Sequence, residues 1–372
     1  MTPTDAGPVN QWLEVARWAA SGANAQPWFV EFEESDRAIA IRLSIDPEYR
    51  PRQAMLDVRG GASVIALGAL ATNLISLAAG DGFGLARRSV IPGTDFWDTQ
   101  VLLEFEKGVA PKGPVFPMET IRARCTDRTP FSKTAIPREL QQFVEAIPGR
   151  HPGLRYHEFR SGAQTALIPG LARVDTIRWA SEPYFRSFLE EVSFRNPERD
   201  PDRIPVSQLG VSWLDQVLLR TFRRWPWLHF LLRAGGAMIS ARKGLAHFGS
   251  RCERVGFISA ARFDFEGFFA MGLCFQEIWL EANRQGVAFQ PLGSLLLALG
   301  YWEKEHPEAF TPSQGRVIEE VTAEFREKFG LDLRLPLLGF RLGYPTLGTE
   351  RSPRKPLIGR WRSGLMTRKV RS

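Results

Sequence analysis

Three alternating residues, Arg124, Thr126 and Arg128, have the side chains that a bound anion requires. On an extended stretch of chain, alternate side chains lie on one side, so two guanidinium groups and one hydroxyl would face the same point. A guanidinium presents paired N–H donors that match the oxygens of a phosphate. The spacing therefore predicts an anion cradle. A solvated run of charge beside a helix start is the alternative interpretation.

A second polar stretch, residues 21–28, has the sequence Ser-Gly-Ala-Asn-Ala-Gln-Pro-Trp. Small residues let a backbone lie close to a ligand, and amide side chains offer both a donor and an acceptor to a heterocycle or a ribityl chain. Pro27 predicts an extended Gln26. The candidate ligand contacts are Ser21, Gly22, Asn24 and Gln26. A helix end followed by an ordinary loop explains the same residues without a ligand.

Two later segments are candidates to complete a site. Pro291, Leu292 and Gly293 follow a strongly apolar stretch, and Gly293 would permit a close backbone approach; an ordinary turn is the alternative. The string Gly343-Tyr344-Pro345 precedes basic residues that could reach an anion, namely Arg351, Arg354 and Lys355. Basic residues after a last strand are common, so this motif supports a binding site only in combination with the motifs at 21–28, 124–128 and 291–293.

The elements that must position these residues follow from periodicity. Alternating apolar residues predict strands at 28–32, 38–45, 85–90, 99–105, 154–159, 255–260 and 335–342. Helical spacing or dense small apolar content predicts helices at 9–20, 60–79, 137–146, 265–284 and 312–329. Gly82 and Gly286 follow two of these helices, where glycine is the expected stop.

Composition excludes several classes of protein. The 372 residues are 44% hydrophobic and 24% charged, which is globular composition. The net charge of +7 comes without a zinc-finger, RNP or KH signature, so no specific nucleic-acid partner is expected. Three widely spaced cysteines predict neither a disulfide scaffold nor a metal site, and Cys125 is expected to pack rather than to act as a nucleophile. Without a signal-peptide pattern, a cytoplasmic protein is the expectation.

The two helices that we predict to be buried, at 60–79 and 265–284, suggest an internal repeat. Gly68, Ala78 and Gly82 correspond to Gly272, Ala282 and Gly286, each pair separated by 204 positions. The first half has the stretch at 21–28 but no R-x-[ST]-x-R string, and the second half has the reverse. The predicted organisation is a first half at 1–107, a Pro/Gly-rich linker at 108–118, a second half at 119–357 and a basic tail at 358–372.

Residues 164–250 follow no simple period and are basic and aromatic, as in Phe222 to Leu232. We interpret them as a helical insertion in the second half. Such an insertion could be a lid over the site or, through residues 213–240, a contact with a membrane surface.

Together these motifs resemble those of the nitroreductase-like FMN flavoproteins. The stretch at 21–28 resembles their S-x-x-N-x-Q-P-W element, Arg124-x-Thr126-x-Arg128 their R-x-S-x-[RK] element, and the Gly343-Tyr344-Pro345 string their C-terminal G-Y-P. Thr126 departs from the usual serine, and Ala20 stands where proline is common. With both halves in one chain, the sequence is similar to the fused, Acg-type branch.

The resemblance implies an α+β fold: two diverged halves, each with a mainly antiparallel sheet packed by helices, forming an intramolecular pseudo-dimer that acts as a monomer. It implies FMN between the halves, with phosphate on Arg124, Arg128 and the later basic residues, the ring edge near Asn24, and flavin N5 facing Leu292 and Gly293. The flavin would carry hydride from NADH or NADPH to an electron-poor acceptor such as a nitroarene or quinone, with no catalytic side chain and no metal.

Two other functions remain open on the sequence. A closed insertion would exclude the nicotinamide and leave a non-catalytic protein that sequesters FMN. A membrane-surface or polyanion-binding protein would instead use the segment around Trp225 and Trp227 together with the basic tail.

Overall fold

Two antiparallel sheets, one from each half of the chain, pack around a central pair of helices. The computed structural model describes residues 7–49, 57–132, 134–160, 162–250, 254–292, 310–346 and 348–366. The α+β class predicted from the sequence is confirmed by these two sheets and the helices that cover them.

The first half builds a sheet of four antiparallel strands in the order β1-β2-β4-β3. Its elements are α1 (Pro8–Ala16), β1 (Trp28–Glu34), β2 (Ala38–Ile45), α2 (Gly61–Gly80), β3 (Phe83–Ile91) and β4 (Gln100–Lys107). Helix α2 is buried on nearly every face because its side chains are small and apolar. The helical segment Val58–Gly80 is apolar and long enough to span a membrane, yet 83% of its apolar 18-residue window is buried inside this fold.

The connection and the insertion follow. Three short helices precede the next sheet: α3 (Met118–Ala123), α4 (Arg138–Glu145) and α5 (Ile147–Arg150). After β5 (Leu154–Arg160) the insertion contains α6 (Ile168–Ala180), α7 (Glu182–Glu190), β6 (Val192–Ser193), β7 (Ile204–Pro205), α8 (Trp213–Arg224) and α9 (Ala237–Ser250). Strands β6 and β7 form a small parallel pair. Residues 164–250 are thus mainly helical in this structure.

The insertion has two structural parts. Helices α6 and α9 belong to the core of the second half, where Leu171, Val174 and Leu245 are buried with residues of the second sheet. The stretch between them has an apolar cluster of its own, centred on Phe185 and Leu189. Only this middle part, residues 181–237, is therefore an addition beyond the main core.

The remaining elements complete the second half. They are β8 (Arg254–Ala260), α10 (Phe265–Arg284), β9 (Ala288–Pro291), α11 (Pro312–Phe329) and β10 (Leu337–Gly343). The second sheet is antiparallel in the order β5-β8-β10-β9. Strand β11 (Arg360–Trp361), from the region predicted to be a basic tail, pairs in parallel with β1 of the first sheet.

The halves share one strand order. In each, a helix of 20 residues joins the second and third strands, and the two helices start 204 positions apart at Gly61 and Phe265. They cross at Gly68 and Gly272, where a Cβ on either glycine would overlap backbone of the other helix: the Phe269 carbonyl in one case and the Ile65 carbonyl in the other. Since 65 and 269 also differ by 204, the contact is reciprocal.

The predicted elements agree with the structure except near the stretch at 21–28. The first helix ends at Ala16 rather than at residue 20. Gln26 has a φ of 53°, so the extended conformation predicted from Pro27 is wrong. The predicted position of Gly293 lies outside the described residues.

Candidate functional site

The turn after α1 is held by buried amides of the two central helices. Asn73 Nδ2 donates to the Ala16 carbonyl at 3.1 Å, and Gln276 Nε2 donates to Asn73 Oδ1 at 2.9 Å. The Ala20 amide donates in turn to Gln276 Oε1 at 3.2 Å. Both ends of residues 16–20 are therefore fixed, which positions the Trp18 ring and carbonyl between the halves.

Four arginines converge beside Trp18. Arg124, Arg128, Arg351 and Arg354 line a small cleft of about 20 Å³, which we call the arginine cleft. The other lining residues are Trp18, Cys125, Thr126, Gln208, Glu350 and Ser352. The structure thus brings together the predicted residues Arg124, Thr126, Arg128, Arg351 and Arg354, although they come from two segments more than two hundred positions apart.

Arg124 is fixed by the first half and by α10. Its Nε donates to the Trp18 carbonyl at 2.6 Å, and its guanidinium carbon lies 4.3 Å from the centre of the Trp279 ring. Trp279 is itself held, because its Nε1 donates to the Cys125 carbonyl at 3.2 Å. With only 3% of its surface exposed, Arg124 is a buried cation that rests on an aromatic face.

The other three arginines have few protein acceptors. Arg128 Nη1 donates to the Gln208 carbonyl at 2.9 Å, and Arg351 Nη1 donates to the Arg122 carbonyl. Arg354 lies 5.6 Å from the Trp18 ring centre, and its Nε and Nη1 are buried with no hydrogen-bond partner. None of the four cleft arginines lies within 4.0 Å of a carboxylate oxygen among the described residues.

Burial and mutual repulsion disfavour these charges. Burial lowers the pKa of Arg124 to about 10, and the Arg351 charge acts in the same direction. Burial also lowers the pKa of Arg128 to about 10. The pKa of Arg354 falls well below its usual value through burial, with Arg124 as a further cause. An anion in the cleft would relieve all three effects.

Cys125 lies among the arginines without the properties of a nucleophile. Burial raises the pKa of its thiol, despite the opposing effect of Arg124. Its Sγ donates weakly toward the Glu350 carbonyl at 3.5 Å. Burial of the group therefore favours the neutral thiol over the thiolate.

The stretch at 21–28 lies next to the cleft, on the other side of residues 353–355. Asn24 Nδ2 donates to the carbonyls of Pro201 at 2.9 Å, Arg203 at 3.1 Å and Pro353 at 3.1 Å. Gln26 Nε2 donates to the Pro201 carbonyl at 2.7 Å, and its Oε1 accepts from the Lys355 amide at 2.8 Å. Both amide groups therefore hold the insertion and the C-terminal segment, while Asn24 Oδ1 is buried without a partner.

The backbone of this stretch is strained at residues that are not glycine. Ala23, Asn24 and Gln26 have φ values of 49°, 65° and 53°. Such conformations cost on the order of 1–3 kcal/mol each and persist where surrounding contacts impose them. Gly22, by contrast, is exposed with open space around its α-carbon, and the Ser21 hydroxyl accepts from the Gln26 amide at 3.2 Å.

Three predicted site residues lie away from the cleft. The Lys355 ammonium pairs with Asp202 at 3.1 Å, so it faces the insertion. Pro291 is in β9 opposite Phe340, and the Leu292 amide donates to the Gly339 carbonyl at 2.7 Å. The Leu292 N–H is thus used by the sheet and not directed at a ligand in this structure.

Sequence reasoning missed three residues of the site. Trp18 stacks near two arginines, Gln208 accepts from Arg128 through its carbonyl, and Ser352 donates to the Gln208 side chain. Ser352 lies between two predicted arginines and was available from spacing. Gln208 belongs to the insertion, whose path no periodicity reveals.

A wider, open cleft of about 520 Å³ lies next to the arginine cleft. The two share Cys125 and Arg351, and the remaining lining of the wider one is Met118, Glu119, Arg122, Ala123 and Thr349. Over the part of the chain that the structure describes, no group of three His, Cys, Asp or Glu side chains is placed to hold a metal ion.

Comparison with known proteins finds distant structural likenesses only. No protein-family profile matches the chain. No curated protein matches it. A nitroreductase with bound FMN from Desulfitobacterium hafniense is similar at 14% identity and a TM-score of 0.33, covering 64% of this chain and 94% of its own.

Two further solved structures are similar to the same degree. The FMN-dependent nitroreductase NfnB from Mycobacterium smegmatis, in complex with NADPH, has 15% identity and a TM-score of 0.34 and covers 61% of this chain and 86% of its own. A nitroreductase with bound FMN from Bacteroides fragilis has 11% identity and a TM-score of 0.33, covering 68% and 97%. Because these scores are low, we base the function of this chain on its own residues.

Proposed function

We propose that this chain is an FMN-binding flavoprotein of the nitroreductase type, with the FMN phosphate held in the arginine cleft. The observation that carries the proposal is Arg354. Its Nε and Nη1 are buried without any acceptor, in a cleft where three more arginines lack a carboxylate partner. Buried donors normally have acceptors, so an orphaned guanidinium among other cations marks the place of an anion.

The donor set suits a phosphate. Arg124, Arg128, Arg351 and Arg354 supply the N–H groups, and the Thr126 hydroxyl adds a further donor. The polar edges of a larger ligand could use Asn24 and Gln26, provided that the Pro201 and Arg203 carbonyls leave those amides. A flavin site at this position therefore requires displacement of residues 201–208, the segment of the insertion that covers it.

We further propose that the chain is a fused pair of diverged halves that share one site. The equal strand orders, the helices of equal length and the reciprocal glycine crossing support a duplication. The arginine cleft draws Trp18 from the first half and its arginines from the second. Neither half alone supplies the complete lining.

The residues of the chain would bind and orient the cofactor, and bound FMN would supply the exchange of hydride between a reduced nicotinamide and an electron-poor acceptor. The arginines would neutralise the phosphate. The aromatic face of Trp279 would keep Arg124 in place, and that of Trp18 would keep Arg354 in place. Residues 201–208 would exclude water from the cofactor only by closing over it again after leaving their present contacts with Asn24.

A second candidate, a protein that stores FMN without turnover, is favoured by this same covering segment. Pro201 contacts both amides, Asp202 pairs with Lys355, and the Gln208 carbonyl accepts from Arg128. If this segment closed again over bound FMN, it would bar a nicotinamide from the flavin.

The first experiment measures FMN affinity by quenching of flavin fluorescence. Arg354→Ala removes a charge-assisted interaction of about 1.5–3 kcal/mol, so the dissociation constant should rise roughly 10- to 150-fold. Arg360→Ala is the matched control, because Arg360 is exposed and stacks on Phe29 away from the cleft. Equal FMN affinity in the Arg354→Ala variant and the unchanged protein would contradict the proposal that the arginine cleft binds the FMN phosphate.

A second measurement separates the two candidates. The FMN-loaded protein is mixed with NADH or NADPH without oxygen, and the visible flavin absorbance is followed. Loss of that absorbance supports the oxidoreductase, whereas retained colour with tight FMN binding supports storage. A protein that binds no FMN at all contradicts both.

A further inference from the structure

The middle part of the insertion exposes an unusual concentration of apolar side chains. Eleven of the fifteen large hydrophobic residues that are exposed in the described part of the chain lie between residues 211 and 239. Trp213 is 75% exposed and Trp227 68%, with Ile239 at 58% and Phe230 at 52%. We call residues 211–239 the apolar surface. Such a concentration of exposed apolar side chains indicates a site of interaction with another molecule.

Helix α8 shows how the sequence builds this surface. Ser212 caps its start, because the Ser212 hydroxyl accepts from the Asp215 amide at 3.2 Å, and Leu219 of the helix is buried against the insertion's own cluster. Four other apolar residues of the helix are exposed to solvent: Trp213, Leu214, Val217 and Leu218. The helix thus has apolar residues on both sides, although only one is needed for folding.

Aromatic residues extend the surface beyond the helix. The rings of Trp227 and Phe230 stack in parallel with centres 6.1 Å apart, and Trp225 is 49% exposed beside them. Tryptophan has an apolar body and a polar N–H, which suits the boundary between water and lipid.

The charge around the surface is almost entirely positive. Residues 213–243 contain six basic residues and a single acidic one, Asp215, which pairs with Lys243 at 2.9 Å. Among the described residues, no ion pair involves Arg220, Arg224, Arg233 or Arg242, and all four are exposed. Basic residues beside exposed tryptophan are the pattern of segments that lie on an anionic bilayer.

We propose that the apolar surface docks the protein on an anionic lipid bilayer. The exposed tryptophans and α8 enter the headgroup region, and the surrounding arginines contact lipid phosphates. A second copy of the chain is a poorer occupant, because a two-fold interface would bring the same six basic residues against each other. This docking does not depend on whether the arginine cleft binds FMN.

The test is co-sedimentation of the full chain with vesicles, together with tryptophan fluorescence. Vesicles of phosphatidylcholine with added phosphatidylglycerol should bind the protein and shift its emission to shorter wavelength, and pure phosphatidylcholine should bind it at least roughly tenfold more weakly. High salt should weaken the binding to anionic vesicles. The Trp227→Glu and Ile239→Glu variants should each lower the partition coefficient by roughly tenfold or more.

Ile358→Glu is the matched control, because Ile358 is 77% exposed but lies far along the chain from the apolar surface. It should bind vesicles as the unchanged protein does, and circular dichroism should show equal folding in all variants. Equal binding by Ile239→Glu and Ile358→Glu would overturn the proposal. A concentration-dependent dimer that Ile239→Glu disrupts, without vesicle binding, would also overturn it, in favour of a second copy.

Discussion

The amide of Gln26 illustrates how tertiary contacts override a local rule. A residue before proline favours extended backbone, yet Gln26 has a φ of 53°. Its side chain is held at both ends, by the Pro201 carbonyl at 2.7 Å and the Lys355 amide at 2.8 Å. These partners lie 175 and 329 positions away, so no inspection of the local sequence could anticipate the conformation.

The arginines of the cleft were more accessible to prediction. Their alternation in the segment 124–128 and their presence at 351 and 354 were sufficient to nominate them. The sequence does not reveal which hydrogen-bond partners each arginine side chain has. The partners of Arg128 and Arg351 are backbone carbonyls, and any residue type supplies a carbonyl. The absence of an acceptor for Arg354 likewise follows only from packing.

Two acids, Asp57 of the first half, which is buried, and Glu191 of the insertion, are expected to make stability dependent on pH. Burial raises the pKa of Glu191 to about 8, and the charge of Asp57 acts in the same direction. Burial raises the pKa of Asp57 to about 6. A carboxyl whose pKa is raised on folding favours the native state at low pH. This stabilising contribution is lost as the pH rises from the pKa of glutamate in the unfolded chain, near 4.5, through the pKa of Glu191 in the folded protein, about 8.

We expect Glu191→Gln to remove most of this dependence, because a neutral amide cannot ionise. At pH 9 the variant should melt a few degrees above the unchanged protein, and at pH 4 to 5 the two should melt alike. Thermal unfolding followed by circular dichroism across this range is the measurement. Exposed Glu182→Gln is the control and should leave the pH profile unaltered. A constant difference between Glu191→Gln and the unchanged protein at every pH would contradict the titration.

At the scale of elements, the central helices are the part of the fold most fully predicted from the sequence. Dense small apolar residues predicted α2, and the bounds 265–284 of α10 were predicted to the residue. The uniform apolar composition of α2 has few alternatives, since such a helix must be buried on all sides. The insertion shows the opposite case. Its helices α6 and α9 join the second core, while residues 181–237 form a separate cluster, and composition alone did not distinguish the two parts.

The helix crossing gives a prediction at this scale. Gly68→Ala should lower the free energy of unfolding by roughly 1–3 kcal/mol, because the added methyl overlaps backbone of α10 that cannot move as a side chain can. Gly272→Ala should lower the free energy of unfolding by a similar amount, because its added methyl overlaps backbone of α2. Chemical denaturation is the measurement.

The same helix offers a control for this prediction. Gly80 ends α2 with open space around its α-carbon, so Gly80→Ala should be neutral or stabilising by up to about 1 kcal/mol. Equal destabilisation by Gly68→Ala and Gly80→Ala would contradict close packing at the crossing as the cause of the loss, because Gly80 has open space around its α-carbon.

On the scale of the whole molecule, the two halves are linked by more than the helix pair. After β10, which ends the second sheet, the chain passes the arginine cleft and reaches the first sheet, where β11 pairs with β1. The Arg362 guanidinium contacts Glu31 at 2.8 Å, and the Leu365 amide donates to Glu33 at 2.7 Å. The segment that supplies Arg351 and Arg354 is therefore tied down at both ends, one in each half.

The first half has no counterpart of that segment. After β4, the corresponding strand of its sheet, residues 108–117 include one basic residue, Lys112, where the second half has Arg351, Arg354 and Lys355. The first half also lacks an alternating arginine string before its own polar loop. A symmetric second cleft would thus lack the charges that hold a phosphate.

One FMN per chain is the consequence that tests this asymmetry. Titration of the apoprotein with FMN, followed by flavin fluorescence and checked by native mass spectrometry, should saturate at a single equivalent on a monomeric chain. Arg354→Ala should weaken that one site, because no second cleft takes its place. Two equivalents bound with similar affinity would mean that the first half holds a phosphate without arginines, and the composite site formed by the two halves would have to be abandoned. Saturation at one FMN per two chains would equally contradict it, since each chain already contains both halves of the proposed site.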